Sequence, residues 1–258
     1  MEKALENLFQ AIILGLLQGF TEWLPISSSG HLVVVQELMD MTIPVAFDAS
    51  LHAGTLLAVV IFFRRDIKEI VRSLLAFNSK DQNVTLLFFI LIGSIPTAVT
   101  GYLIKDFLKT LFSNTKAVGV CFLISGIFLL LSTQGNRKKS LNWVVALGIG
   151  VAQAIAIAPG ISRSGSTIST GLLCGTRRSE VFRYSFLLSI PAILGANMME
   201  CRSLLLSGLQ YYSLIGLVIS AVSGYIAIRI VHRALLSERF SLFSVYCFVI
   251  GVITLSLS

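Results

Sequence analysis

Residues 15–32 read GLLQGFTEWLPISSSGHL, and the fold turns on how this stretch is read. It begins as an apolar helical run in which Gln18 and Glu22, four residues apart, share one face. It is then broken by Pro25 and three consecutive serines before it resumes at His31. The surrounding composition says what solvent this break lies in. Of 258 residues 55% are hydrophobic and 13% charged, and the mean hydropathy is +0.85, well above the range of soluble domains. These figures exclude a soluble enzyme and a disordered chain. They also exclude a nucleic-acid binder despite the formal charge of +7, because the basic residues sit in short clusters between apolar runs. Cys121, Cys174, Cys201 and Cys247 are scattered without CxxC spacing, which argues against a zinc site or a disulfide framework. Glu2 and Glu6 flank Lys3 with no small-residue cleavage site after them, so the N-terminus does not read as a signal peptide.

At roughly 20 residues per span, six uncharged or nearly uncharged runs qualify as transmembrane helices: 47–63, 85–104, 117–132, 184–199, 212–228 and 242–257. Two more segments, 8–36 and 143–173, are apolar but interrupted, by WLPISSSGH at 23–31 and IAPGISRSGST at 157–167. Irregular backbone at membrane depth is tolerated only where protein or a wet cavity covers it, so both segments are expected to be re-entrant hairpins. A shift of 135 positions superimposes Gly15 on Gly150, Gln18 on Gln153, Ile26 on Ile161, Ser27 on Ser162, Ser29 on Ser164, Gly30 on Gly165 and Phe47 on Phe182. A second match, offset by 123, pairs AVTGY at 98–102 with AVSGY at 221–225. The expected fold is therefore all-α and polytopic, one membrane domain over 1–258 built from two repeats, about 8–132 and about 143–257. Each repeat holds one hairpin and three spans, and because three is odd the second is inserted upside down. On this scheme fourteen Lys and Arg fall on one side and five on the other. The excess marks the cytoplasmic side and puts both termini outside.

Chemistry-bearing residues concentrate at the two breaks. The first supplies Gln18, Glu22, Ser27, Ser28, Ser29 and His31, and an intramembrane carboxylate requires a polar cavity or a partner. The second supplies Ser162, Arg163, Ser164, Gly165, Ser166 and Thr167, a glycine-flanked turn whose hydroxyls, freed amides and guanidinium suit a phosphate. Asp48 and Arg183, related by the 135 shift, are read as a structural pair. His52 is read as lining or capping the cavity and His232 as an exposed loop residue. The basic residues of 64–72 and 137–139 are read as topology signals touching lipid headgroups.

At these residues the chain resembles the undecaprenyl-diphosphate phosphatases of the bacitracin-resistance type. GLLQGFTEWLPISSSGHL at 15–32 and PGISRSGSTIS at 159–169 look like that family's two signature segments, and FDASLHAGTLLAVV at 47–60 also fits. The resemblance spans essentially the whole chain. It implies hydrolysis of undecaprenyl diphosphate to undecaprenyl phosphate and inorganic phosphate, recycling the lipid carrier of cell-wall synthesis, in a bacterial plasma membrane with the site opening outward. The family's first motif carries Glu or Gln, three residues, then Glu, and this chain has Gln18 and Glu22. Gln18 can donate and accept hydrogen bonds but cannot ionise. On this reading Ser28 is the expected nucleophile, His31 its base or the acid for the leaving group, and Glu22 either orients His31 or holds a divalent cation, Mg or Ca. Arg163, Ser162, Ser164, Gly165 and Thr167 take the phosphate oxygens, helped by Gln18 and Ser27. No organic cofactor is implied. The partners are the polyprenyl diphosphate and the bilayer, not nucleic acid, and glycines in the spans permit a homodimer. A flippase or transporter of a phosphorylated polyprenyl lipid is the rival, since inverted repeats with broken helices are also a transporter plan.

Overall fold

Chain that crosses lipid must pair its own amide groups, which leaves helices or closed barrels. The computed structural model describes residues 2–39, 44–76, 81–132, 138–207 and 211–257. Lys80 and Arg137 lie outside the described residues, as do the side chains of Lys3, Lys105, Lys109, Cys201 and Arg202. Among the described residues the regular structure is helix, apart from one isolated bridge between Lys139 and Thr176. The helices are α1 Glu2–Trp23, α2 Ser28–Leu38, α3 Val45–Phe62, α4 Arg64–Leu75, α5 Gln82–Leu103, α6 Lys105–Phe112, α7 Thr115–Leu131, α8 Trp143–Ile155, α9 Arg163–Leu173, α10 Arg178–Ser207, α11 Tyr211–Leu236 and α12 Leu242–Leu257.

Both expected breaks are present. The first falls between α1 and α2, where Pro25 disfavours helical backbone at Leu24 and Ser27 takes left-handed backbone at φ 66°. The second falls between α8 and α9 and contains Pro159 and Gly160, the latter at φ 91°. Each helix that follows is restarted by a serine cap. Ser27 Oγ accepts from Gly30 N–H at 3.4 Å, and Ser162 Oγ accepts from Gly165 N–H at 3.1 Å, which satisfies amides that helix starts leave unpaired.

The six expected spans each acquire a helix, but not six equal ones. By length and apolarity α5, the Arg178–Met198 part of α10, and α11 suffice to cross a membrane. Helix α3 qualifies only together with α4, which turns 71° away from it, while α7 and α12 are apolar but shorter. The basic segment at 64–72 is thus helix rather than loop. On α4 the acidic residues and Ser73 lie on one side, where Arg183 Nε meets Asp66 Oδ1 at 2.6 Å and Ser73 Oγ donates to Asp81 Oδ2 at 3.0 Å. Arg183 also donates to Asn83 Oδ1 at 3.1 Å. This corrects the expected Asp48–Arg183 pair: Arg183 is drawn to the carboxylate that α4 presents, and Asp48 faces His52 instead, at 3.8 Å. His232 is also corrected, since it sits within α11 with its ring 4.6 Å from Phe182 and 6.4 Å from Phe62, part of an aromatic cluster.

Helix α1 packs on α11, α3 on α11 and α10, α5 on α8 and α10, and α7 on α12. Small residues set these distances. A Cβ placed on Gly150 of α8 would land on the Gly93 backbone of α5, 2.7 Å from its Cα, whereas one on Gly148 would meet nothing within 4 Å. In the core, Trp23 stacks on Phe186 at 5.1 Å and the Phe186 ring lies 4.4 Å from that of Phe182, tilted by 41°, forming an aromatic cluster that begins beside the first break. Gly150→Ala is expected to force α5 and α8 apart and destabilise the fold by about 1–3 kcal/mol. The matched change Gly148→Ala should leave the melting temperature of the detergent-solubilised protein unchanged or slightly raised.

Candidate active site

A glutamate inside an apolar helix is costly unless it is paired and hydrogen-bonded, and Glu22 is both. Its Oε1 receives the Arg163 guanidinium across the two breaks. Its Oε2 accepts from Ser28 Oγ at 2.6 Å and from Gln18 Nε2 at 3.0 Å. The side chains of Glu22 and Arg163 are only 7% and 15% exposed. Because a carboxylate can only accept, the amide nitrogen of Gln18 must be the atom facing Glu22. That nitrogen's second contact, 3.0 Å from His52 Nδ1, is then also a donated bond, and the His52 proton resides on Nε2. His52 Nδ1 lies 3.9 Å from Glu22 Oε2. The Arg163 guanidinium carbon lies 5.1 Å from the Trp23 ring centre, within cation–π range.

The breaks touch directly. Gly160 N–H donates to Ser27 Oγ at 3.1 Å and Ser164 Oγ donates to the Leu24 carbonyl at 3.2 Å. A Cβ on Gly30 would fall 2.9 Å from the Gly160 Cα, so glycine is what lets the first break approach the second. Ser125 of α7 fastens the second break from behind. Its hydroxyl donates to the Gly160 carbonyl at 3.0 Å and accepts from Ser162 N–H at 2.9 Å. The N-termini of α2 and α9 therefore converge, and each brings a positive helix-dipole end to the same place.

The expected site residues divide into two groups. Gln18, Glu22, Ser28 and Arg163 form one hydrogen-bonded cluster, joined by His52, Asp48 and Trp23. His31 does not contact Glu22 as expected. Its Nδ1 donates to the Ser27 carbonyl at 2.7 Å, and Nε2, left as the acceptor, receives the Tyr246 hydroxyl at 2.7 Å. Its ring stacks on Tyr246 and meets the edge of Phe122. The hydroxyls expected to surround a phosphate are also engaged elsewhere. Ser27 and Ser162 are caps, with Ser162 also 3.3 Å from Ser164. Thr167 donates back to the Arg163 carbonyl at 2.8 Å and lies 2.6 Å from Ser185 of α10. Gly165 serves through its capped amide. The physical reason is common to them: a helix start buried in the protein has to satisfy its own donors first. Trp23, Ser125 and Tyr246 were not singled out from sequence, since their roles arise only when distant helices meet.

The family model described as "Bacitracin resistance protein BacA" matches residues 11–253. A protein named undecaprenyl-diphosphatase from Korarchaeum cryptofilum is 44% identical over 96% of this chain and 98% of its own length. Proteins of the same name from Halothermothrix orenii and Desulforapulum autotrophicum are 42% and 41% identical, over 98% and 96% of this chain and 98% of each relative.

Glu22 and Arg163 form a pair in which each neutralises the other's buried charge. Glu22→Leu and Arg163→Leu are each expected to destabilise the fold by about 3–5 kcal/mol. The double variant should recover much of that loss, read as a melting temperature above that of either single variant.

Proposed function

This chain belongs to the bacitracin resistance protein BacA family, and on that footing we propose that the Glu22–Arg163 cluster is its working centre. The chain is a helical membrane protein that hydrolyses undecaprenyl diphosphate to undecaprenyl phosphate and inorganic phosphate. The observation that carries the assignment of the centre is that one carboxylate holds Arg163 through one oxygen and Ser28 through the other.

An entering diphosphate offers the guanidinium a better-matched, bidentate partner than a single carboxylate oxygen. As Arg163 moves to the phosphate, Glu22 loses its counter-charge while still holding the Ser28 hydroxyl, and so becomes the base for that hydroxyl. Ser28 Oγ attacks the terminal phosphorus, undecaprenyl phosphate departs, and the Ser28 proton passes to Glu22. The amides and dipoles at the starts of α2 and α9 stabilise the charge spread over the transferred oxygens. Glu22 replaces His31 as the base because His31 has both nitrogens committed to fixing the first break.

A divalent cation fits this centre as the counter-ion of the diphosphate rather than as a resident of the protein. Both Glu22 oxygens already accept from Arg163, Ser28 and Gln18. Among the described residues no group of three His, Cys, Asp or Glu side chains is disposed to hold a metal.

The topology reading is supported by how the helices pair. Under the two sequence offsets α1 corresponds to α8 and α5 to α11, and α1 packs on α11 as α8 packs on α5. Gly15 abuts Gly216 as Gly150 abuts Gly93. An inverted repeat accounts for this exchange. With the excess of basic residues inside, it supports an opening of the centre to the outer face of the plasma membrane.

In detergent, hydrolysis needs no second compartment, so phosphate release there separates an enzyme from a pure transporter. Arg163→Ala is expected to lower release from C55 diphosphate about 10²–10³-fold, and Ser28→Ala to abolish it. A fully active Ser28→Ala protein would remove the serine from the mechanism. Chelator should suppress release without shifting the protein's melting temperature.

A further inference from the structure

Hydrolysis through a phosphoserine removes a proton from Ser28 in its first step and one from water in its second, and the cluster has one carboxylate in contact with Ser28. Glu22 takes the Ser28 proton in the first step, and when it keeps that proton for return to the Ser28 oxygen it is not free as a base in the second. The proton of the attacking water then goes to another acceptor. Gln18, which occupies the position where a second carboxylate would stand, does not ionise.

We propose that His52, held between Gln18 and Asp48, is the second base and takes the proton of the water that cleaves the phosphoserine. The inference rests on the reading of Ser28 as nucleophile. His52 Nδ1 carries no proton when Gln18 donates to it at 3.0 Å, so its lone pair faces the centre, and it takes up a proton when the attacking water displaces the Gln18 amide from it. It lies 3.9 Å from Glu22 Oε2, which itself lies 2.6 Å from Ser28 Oγ, so a single water molecule can reach from the imidazole to a phosphorus on that oxygen. On the other edge of the ring, Nε2 is 3.8 Å from Asp48 Oδ2 one helical turn earlier on α3. The imidazolium formed in the step is therefore flanked by Glu22 and Asp48, which offset the Arg163 guanidinium held on the other oxygen of Glu22. Exposure runs in the required direction, because His52 and Asp48 side chains are 29% and 31% exposed while Glu22 is 7% exposed. Two acceptors in the cluster, Gln18 Oε1 and Asp48 Oδ1, are buried without a hydrogen-bond partner among the described residues. Both suit a small donor such as the attacking water.

The step balances. Water adds to the phosphorus of phosphoserine and its proton moves to His52 Nδ1. The P–Oγ bond breaks, Glu22 returns its proton to Oγ, and inorganic phosphate leaves. His52 then releases a proton from Nε2 past Asp48 to solvent, which restores the starting state.

The test uses the purified full chain in detergent with C55 diphosphate labelled in its terminal phosphate, acid-quenched at intervals. In His52→Gln, steady-state release is expected to fall about 100-fold while label accumulates on Ser28, because the first step is intact. Adding Gln18→Glu to that variant supplies a carboxylate in reach and should restore release at least tenfold, which also shows that the variant is folded. A His52→Gln protein that releases phosphate at the parental rate overturns the inference, as does one in which labelling and release fall together. An active parent with no label in either protein overturns the serine reading and this inference with it. Label in both proteins, cleared at equal rates, overturns the inference alone.

Discussion

Glu22 is a charge placed where hydrocarbon surrounds the protein, and its neutralisation by a guanidinium 141 residues further along organises everything nearby. A buried ion pair is stabilising only when its geometry is good and its remaining lone pairs are satisfied. Here that condition requires two interrupted helices to bring their breaks into contact. The contact in turn requires glycine at Gly30 and Gly160, an irregular Leu24–Ser27 segment, and a hydroxyl at Ser125 to tie the second break from behind. The same arrangement makes the centre responsive to an anion, since whatever draws Arg163 away from Glu22 also changes how strongly Glu22 pulls on the Ser28 proton.

The two breaks share a scaffold but divide the chemistry. Ser27 and Ser162 are equivalent under the 135-residue shift and cap their helices in the same way. The next residue opens the helix in each case, and it is Ser28 in one copy and Arg163 in the other. A duplicated turn thus presents a nucleophile from one side and a fixed positive charge from the other, aimed at the same point. Glu22 falls on Ile157 under that shift and His52 on Leu187, so the proton-handling residues belong to the first copy alone.

Helical class, the two breaks and the need of Glu22 for a polar cavity or a partner were legible because each follows from cost: proline and glycine at membrane depth, and charge in an apolar run. Partner choice was less legible. Asp48 and Arg183 are complementary and related by the repeat, but α4 bends by 71° after Phe63 and presents Asp66 to Arg183 first. His31 has the right residue type for a base in the right motif. Its two nitrogens are nonetheless claimed by a carbonyl four residues earlier and by a tyrosine on the last helix. The hydroxyls of Ser162, Ser164 and Thr167 look like phosphate ligands in a linear reading, whereas buried helix starts use them internally. His52 was legible as a residue lining or capping the cavity but not as a base, because that role depends on which way Gln18 points.

The position of Trp23 has an optical consequence. Its indole is fully buried, lies against the Arg163 guanidinium and stacks on Phe186, whereas the chain's other tryptophan, Trp143, is 57% exposed at the start of α8. Indole emission responds to nearby charge, so the protein carries a native fluorophore at the point where its cation changes partners. With Trp143 replaced by phenylalanine, headgroup arrival could be followed by intrinsic fluorescence in real time, without any label on the lipid.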